Sequence, residues 1–448
     1  MLETTKNEPR EIFGWVMYDW ANSAFLTTVI SVLAGPYLTA LAQNRLGDEN
    51  GVVLDLGWLG AITAKSLFPF AISLSVLGQV FLLPILGAVA DYSRLKKQFM
   101  MFFCAVGVVA GCLLFFIEGD LYLLGSLLII VSNLAMGGSL VFYNAFLSDV
   151  CTEDQRDRIS SRGFALGYLG GGLMLLFNLL LLNSAESFGI TQGFAVRLSF
   201  LIASLWWGCF ALITFALIKQ RGASRQITEK DNYIRLAFRE LAVTFKDLLR
   251  LRQTSLFLVA YLLYNDGIQT VINVSSLFLA QELFVARGVP ADNAFLLKIF
   301  LLAQFMGIIG SFAFEFLARK IGAKKSILVS LCIWAAIVVY AYAVLNTTGE
   351  AWMMGAAIGF VLGGSQALSR SLFSRMIPEG RESAFFSIYE ISERGTSWLG
   401  PLVFGIVAAW TNSYRQAILA LIAFFVVGMI LLFLTDTDKA IRQAKEVA

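Results

Sequence analysis

The chain has 448 residues, 58% of them hydrophobic and only 15% charged. Soluble domains carry about 25% charged residues, so this composition points to a polytopic membrane protein and away from a soluble enzyme or binding module. A net charge of +3 gives no reason to expect a nucleic-acid partner, and with no histidine present any proton coupling must use carboxylates.

The five cysteines form no CxxC pair, which supports neither a disulfide framework nor a zinc site. No nucleophile–base pair, nucleotide loop or metal-ligand cluster stands out, so no enzyme activity, metal or cofactor is expected. Met1 to Arg10 is polar and runs straight into a long apolar stretch, so no cleavable signal is expected.

A membrane-crossing helix needs about 20 mostly apolar residues. Twelve such spans are predicted, at 12–42, 66–90, 98–117, 121–147, 163–183, 194–218, 254–284, 294–318, 326–345, 351–373, 384–410 and 415–434. Of the 34 lysines and arginines, Arg45, Lys65, Arg197, Arg287, Lys298 and Arg415 fall on one side of the membrane. Nearly all the others share a side with the two termini, which predicts that both termini are cytoplasmic. The polar linker 219–253 separates a six-helix bundle at 12–218 from a second at 254–434. A cytoplasmic arm, 1–11, and tail, 435–448, flank them. Apolar residues at helical spacing over 234–251, with basic flanks, predict a linker helix on the inner leaflet.

A charge at the centre of a bilayer costs about 3 kcal/mol on insertion scales, so charged residues within spans are functional candidates. In chain order, span one carries Asp19 in its inner third and Asn22 one turn on. Span four holds Asn133 and Asn144. Gly163, Gly167 and Gly171 form a four-residue ridge in span five that suits close helix packing. In span seven Asp266 lies about 21 Å beyond Arg252 at 1.5 Å per residue, near the midplane, and Gln269, Thr270 and Asn273 share its face. Glu315 and Arg319 stand near the inner end of span eight, and Gln366 lies in span ten. Span eleven carries Glu390, Glu393 and Arg394, the first and last at i,i+4 spacing, and Gly400-Pro401 predicts a kink farther out. Spans three, six, nine and twelve hold almost no strongly polar residue. The polar helices one, four, seven and ten thus recur every third span, a pattern that fits nested three-helix repeats around a central solute path.

After span two comes Gly87-Ala88-Val89-Ala90-Asp91-Tyr92-Ser93-Arg94-Leu95-Lys96-Lys97, and after span eight Leu317-Ala318-Arg319-Lys320-Ile321-Gly322-Ala323-Lys324-Lys325. Together these resemble the loop signature of the major facilitator superfamily. Arg94 stands where glycine is usual, and Arg319 where Asp is expected. Four further blocks carry a closer resemblance. They are Gly14-Trp15-Val16-Met17-Tyr18-Asp19-Trp20-Ala21-Asn22, Ser160 through Gly172, Tyr264-Asn265-Asp266-Gly267-Ile268-Gln269-Thr270, and Gln366-Ala367-Leu368-Ser369-Arg370-Ser371 through Pro378-Glu379-Gly380-Arg381 to Gly400-Pro401. They are similar to the vacuole-effluxer-like branch of the major facilitators, whose fungal members export amino acids from the vacuole. The resemblance implies an all-α fold of twelve transmembrane helices in two six-helix bundles, and it hints at amino acids as cargo.

The residues therefore lead to a secondary active transporter working by alternating access. Asp266, Gln269, Asn273, Asn133, Gln366 and Asn22 are expected to contact the solute, with Asp266 wetted by the cavity. Asp19 and Asp266 are the expected proton-coupling carboxylates. Asp91, Arg94, Lys96, Lys97, Glu315, Arg319, Glu390 and Arg394 are the expected gate. A small-molecule solute and membrane lipids are the expected partners of a monomeric chain. Its membrane would be the inner one in a bacterium or the vacuolar one in a fungus. An exporter or flippase of amphipathic molecules or lipids, and a non-transporting membrane scaffold or sensor, remain open at this point.

Overall fold

The computed structural model describes residues 6–48, 50–55, 61–92, 95–220, 243–244, 246–290, 292–394 and 399–447; the side chains of residues 92, 293, 394 and 447 lie outside the description. Among the described residues, eleven helices are long and apolar enough to cross a membrane. Spans one to six are Pro9–Leu46, Ala64–Asp91, Lys96–Phe116, Tyr122–Val150, Glu153–Asn183 and Gln192–Leu217. Spans seven to ten are Arg252–Arg287, Ala294–Ile321, Ala323–Ala343 and Thr348–Arg375, and span twelve is Tyr414–Leu434. Span eleven is represented by two helices, Glu382–Arg394 and Leu399–Thr411, on either side of 395–398. The fold is thus all-α, with twelve transmembrane helices in two six-helix bundles. A short hairpin, Val52–Asp55 against Ala61–Thr63, decorates the connection between spans one and two. The expected linker helix over 234–251 lies mostly outside the described residues.

Local chemistry sets the helix ends. Spans six, eight, ten and twelve start on the face opposite the termini, each with a side chain accepting from a free backbone N–H. Thr191 accepts from Phe194, Asp292 from Phe295, Thr347 from Glu350 and Ser413 from Gln416. On the terminus-bearing face, a lysine from the start of a neighbouring span caps the last carbonyls of spans six and twelve. Lys97 Nζ donates to the Ile218 carbonyl (2.8 Å), and Lys324 Nζ to those of Phe433 (2.9 Å) and Thr435 (2.7 Å). The two loop copies thus do the same job in both halves.

The buried apolar side chains form two large clusters, one drawn from Trp15 to Ile218 and one from Leu251 to Ala440. The second also takes in Ala145 of span four. Lipid tails are as apolar as leucine, so close contact between membrane helices comes from small residues and polar pairs. Spans eight and ten cross on such a ridge: a Cβ at Gly359 would collide with the Ala303 backbone, and one at Gly363 with the Gly307 carbonyl. In span one the α-helix widens to a π-helix over Leu26–Leu33, where the β-branched run Thr27-Thr28-Val29-Ile30 approaches Pro36. Proline clashes with the carbonyl four residues earlier, and the wider turn relieves it.

The structure begins span five at Glu153, ahead of the expected residue 163, because the first turns of this helix find their charged partners in span ten rather than in solvent. Overpacking a close crossing costs about 1–3 kcal/mol. Gly359→Val is accordingly expected to lower the thermal unfolding midpoint of the detergent-solubilised protein. An unchanged midpoint would mean that spans eight and ten do not depend on this contact.

Candidate functional site

Span one and span ten meet through a buried ion pair. Arg370 Nη2 lies 3.1 Å from Asp19 Oδ2, with Arg370 3% and Asp19 7% exposed. Asp19 Oδ2 also accepts from the Tyr143 hydroxyl (2.7 Å). The guanidinium spends its other donors on the same side: Nε on Ser160 Oγ (2.9 Å), Nη2 on the Ser160 carbonyl (3.0 Å) and Nη1 on Asn144 Oδ1 (3.3 Å). Asn144 Nδ2 then donates to Glu390 Oε1 at 2.6 Å, which brings in span eleven. Gly163 is glycine for a clear reason, since a Cβ there would collide with Asp19 Oδ2 and sit 3.0 Å from Arg370 Nη2. Farther along the ridge, Gly167 abuts Ser23 and Gly171 abuts Thr27, so the expected packing role of this ridge is filled by span one.

Two further clusters tie the bundles nearer the terminus-bearing face. At the start of span five, Asp157 pairs with Arg375 (2.6 Å) and accepts from Ser371 Oγ (2.6 Å), while Arg156 Nη1 donates to the Ser374 carbonyl (2.5 Å). At the end of span two, the Asp91 carboxylate accepts from two backbone N–H groups, Ser383 (2.9 Å) and Ala384 (2.8 Å), at the start of helix Glu382–Arg394. A carboxylate at this position meets the positive end of the helix dipole. Gly87 makes room for it, because a Cβ would lie 2.5 Å from the Ser383 carbonyl. Lys96 donates to Asp149 (3.0 Å), and its charge also faces Asp91 and Glu382.

On the opposite face, the described ion pairs stay inside one bundle: Arg45–Asp120 and Arg197–Glu118 in the first, Arg415–Glu282 in the second. Among the described residues, the innermost cross-bundle bond is Tyr168 Oη to Gln366 Oε1, 2.8 Å. In this conformation the bundles are latched at the end that bears the termini.

The remaining expected site residues are placed as follows. Asp266 is not wetted: it is 1% exposed, and its Oδ2 accepts from the Gly400 N–H at 2.7 Å, within its own bundle. A Cβ at Gly400 would collide with Thr270 Oγ1, so span seven presses on span eleven as span one presses on span five. Asn133 is packed between helices of one bundle, donating to Ser75 Oγ (2.6 Å) and accepting from Gln79 at its carbonyl (3.0 Å). Asn22 is buried, and its Nδ2 has no partner among the described residues. Gln269 is half-buried and Asn273 exposed. Glu315 and Arg319 pair on their own helix at 3.1 Å and reach no residue of the other bundle among the described ones. The reason is the i,i+4 spacing, which satisfies the carboxylate locally. Lys97 caps span six rather than crossing the interface. Arg94 and the Arg394 side chain lie outside the described residues. Arg370, Tyr143 and Asp157 are absent from the expected set. Arg370 stood in one of the family-like blocks, and a charge more than one turn inside the end of span ten was the available signal.

This two-bundle, twelve-span architecture with a polar latch between the bundles defines a transporter of the major facilitator superfamily, an integral multi-pass membrane protein and not an enzyme. The chain belongs to the vacuole effluxer Atg22-like family, which it matches over residues 7–445. It is 32% identical to the MFS-type transporter YxiO of Bacillus subtilis (strain 168), covering 96% of each chain. With autophagy-related protein 22 of Yarrowia lipolytica it shares 27% identity over 93% of its own length and 83% of the relative's. Its fold is similar to that of the E. coli fucose:proton symporter FucP. The TM-score is 0.67 at 15% identity, over 96% of this chain and 98% of that one.

Because Gly163 admits no side chain beside the ion pair, Gly163→Ala is expected to loosen the latch. The reporter is Ser374→Cys in a background without the five native cysteines. Its labelling by a membrane-impermeant maleimide should rise several-fold, and equal labelling with glycine or alanine at 163 would refute the close approach.

Proposed function

We propose that the protein is a secondary active transporter that moves a small polar solute by alternating access, with amino acids as the leading class. The terminus-bearing face is the cytoplasmic one, so the latched conformation opens outward. The single observation that supports this reading is the Asp19–Arg370 pair, one partner from each bundle, buried where the two meet. An ion pair without water is stable only while both partners stay together, and separating them strands a charge. The pair therefore stabilises the closed inner end and must break for it to open. Neutralising Asp19 removes that restraint, which makes it the coupling carboxylate. The solute site lies on the outer side of the latch, between spans one, four, seven and ten, with Asn22, Gln269, Asn273 and Gln366 as its polar groups. Asp266 and Asn133 serve as packing residues that shape it, and the chain works as a monomer.

The amino-acid reading draws its support from the family membership and from charges of both signs around the latch, which suit a zwitterion. The test is transport of radiolabelled amino acids in proteoliposomes, with and without a pH gradient. The protein should accumulate at least one amino acid when the gradient is applied. Asp19→Asn should retain counterflow exchange while losing about tenfold in gradient-driven accumulation, the effect of about 1.4 kcal/mol of lost coupling. Absence of flux for every amino acid removes the proposed cargo and turns the search to amphipathic molecules; full accumulation by the Asn variant removes the coupling role.

A further inference from the structure

Among the described residues, the rings that cover Arg370 and the acceptors of its N–H groups come from the other bundle. Its Cζ lies 4.2 Å from the ring centroid of Phe164, 4.8 Å from that of Trp15 and 5.5 Å from that of Tyr143. The acceptors of its N–H groups are Asp19 Oδ2, Asn144 Oδ1, Ser160 Oγ and the Ser160 carbonyl. All of these groups belong to spans one, four and five, whereas Arg370 belongs to span ten. A planar cation that is bonded at its edge and covered on its faces by rings is held as a guanidinium, a geometry that a compact ammonium does not fill.

The receptor is braced without Arg370. Trp15 Nε1 donates to the Tyr143 carbonyl at 2.9 Å, and the two rings stack at 4.6 Å and 16°. The Tyr143 hydroxyl holds Asp19 Oδ2 at 2.7 Å. These contacts lie within one bundle, so withdrawing span ten leaves the stacked rings and the carboxylate in place, while Ser160 Oγ gives up the bond it donates to the Ala367 carbonyl (2.8 Å). We infer that, when the bundles part at the terminus-bearing end, this cage is a binding site for a solute cation of the guanidinium class, for which Arg370 is the built-in competitor. The inference rests on the alternating-access reading above. An occupied cage prevents Arg370 from returning and so holds that end open.

The test uses the full chain in detergent with ethylguanidinium as probe, and urea and butylammonium as controls. In a background without the native cysteines, Asp157→Cys with Ser371→Cys reports closure by the yield of the cross-link. Millimolar ethylguanidinium should lower that yield several-fold, urea should leave it unchanged and butylammonium should act weakly. Adding Asp19→Asn should abolish the response. A yield indifferent to ethylguanidinium, or lowered equally with Asn at 19, overturns the proposal. Asp91→Ala serves as the control for movement of the bundles. If it too leaves the yield unchanged, alternating access at this end has failed; if it lowers the yield while ethylguanidinium does not, only the cation site has failed. As a second arm, Arg370→Ala should bind ethylguanidinium, seen through tryptophan fluorescence, at least about tenfold more tightly than urea, as expected for a charge-assisted bond to a carboxylate. Equal affinity for the two would also overturn the proposal, and the cross-linking arm decides the matter should this variant not fold.

Discussion

The closed end of the molecule depends on one buried pair of opposite charges, Asp19 and Arg370, contributed by different bundles. Removing two ions from water costs several kcal/mol each, and mutual attraction offsets this only when geometry is good and the other donors and acceptors are filled. Here they are filled: by Tyr143 for the carboxylate, and by Ser160 and Asn144 for the guanidinium. The arrangement favours contact between the bundles strongly yet provides no comparable adhesion once they separate. That is the behaviour of a latch rather than of a permanent core.

The rest of the interface follows the same logic. Asp91 caps a helix that belongs to the opposite bundle, so one carboxylate fixes the start of span eleven against span two. Lys96 balances the acidic groups behind it. The second loop copy cannot repeat this, because Arg319 stands at the corresponding place and a cation is repelled by a helix N-terminus. Both copies keep the lysine that caps a neighbouring span, Lys97 and Lys324. The halves therefore share a scaffold but not a latch. Asp19 and Asp266 diverge in the same way: each lies one turn before a hydroxyl that meets a glycine, Ser23 on Gly167 and Thr270 on Gly400, yet only Asp19 reaches across.

Much of this fold was legible because hydrophobic spans of membrane length and the skewed distribution of lysine and arginine are local signals. Asp19 stood out in the sequence, since a carboxylate in an apolar span needs a reason. Its partner was not, because Arg370 is 351 residues away and its position near the end of span ten resembles ordinary topology charge. Asp266 was harder to place for the converse reason: its Oδ2 accepts from a backbone N–H that no residue type announces, while its Oδ1 is buried with no partner among the described residues. The partner of Asp91 is hidden in the same way. Asn133 read as a cavity residue because the amide alone does not reveal that Ser75 and Gln79 face it from span two.

The π-helical stretch Leu26–Leu33 lies beyond Asp19 and Ser23 along span one. An α-helix turns about 100° per residue, and a π-helix less. The wide turns themselves rest on span five, with Thr27 against Gly171 and Thr28 Oγ1 accepting from Asn178 Nδ2 at 2.7 Å. The first span thus passes its proline by a local change of pitch while keeping its grip on the neighbouring helix.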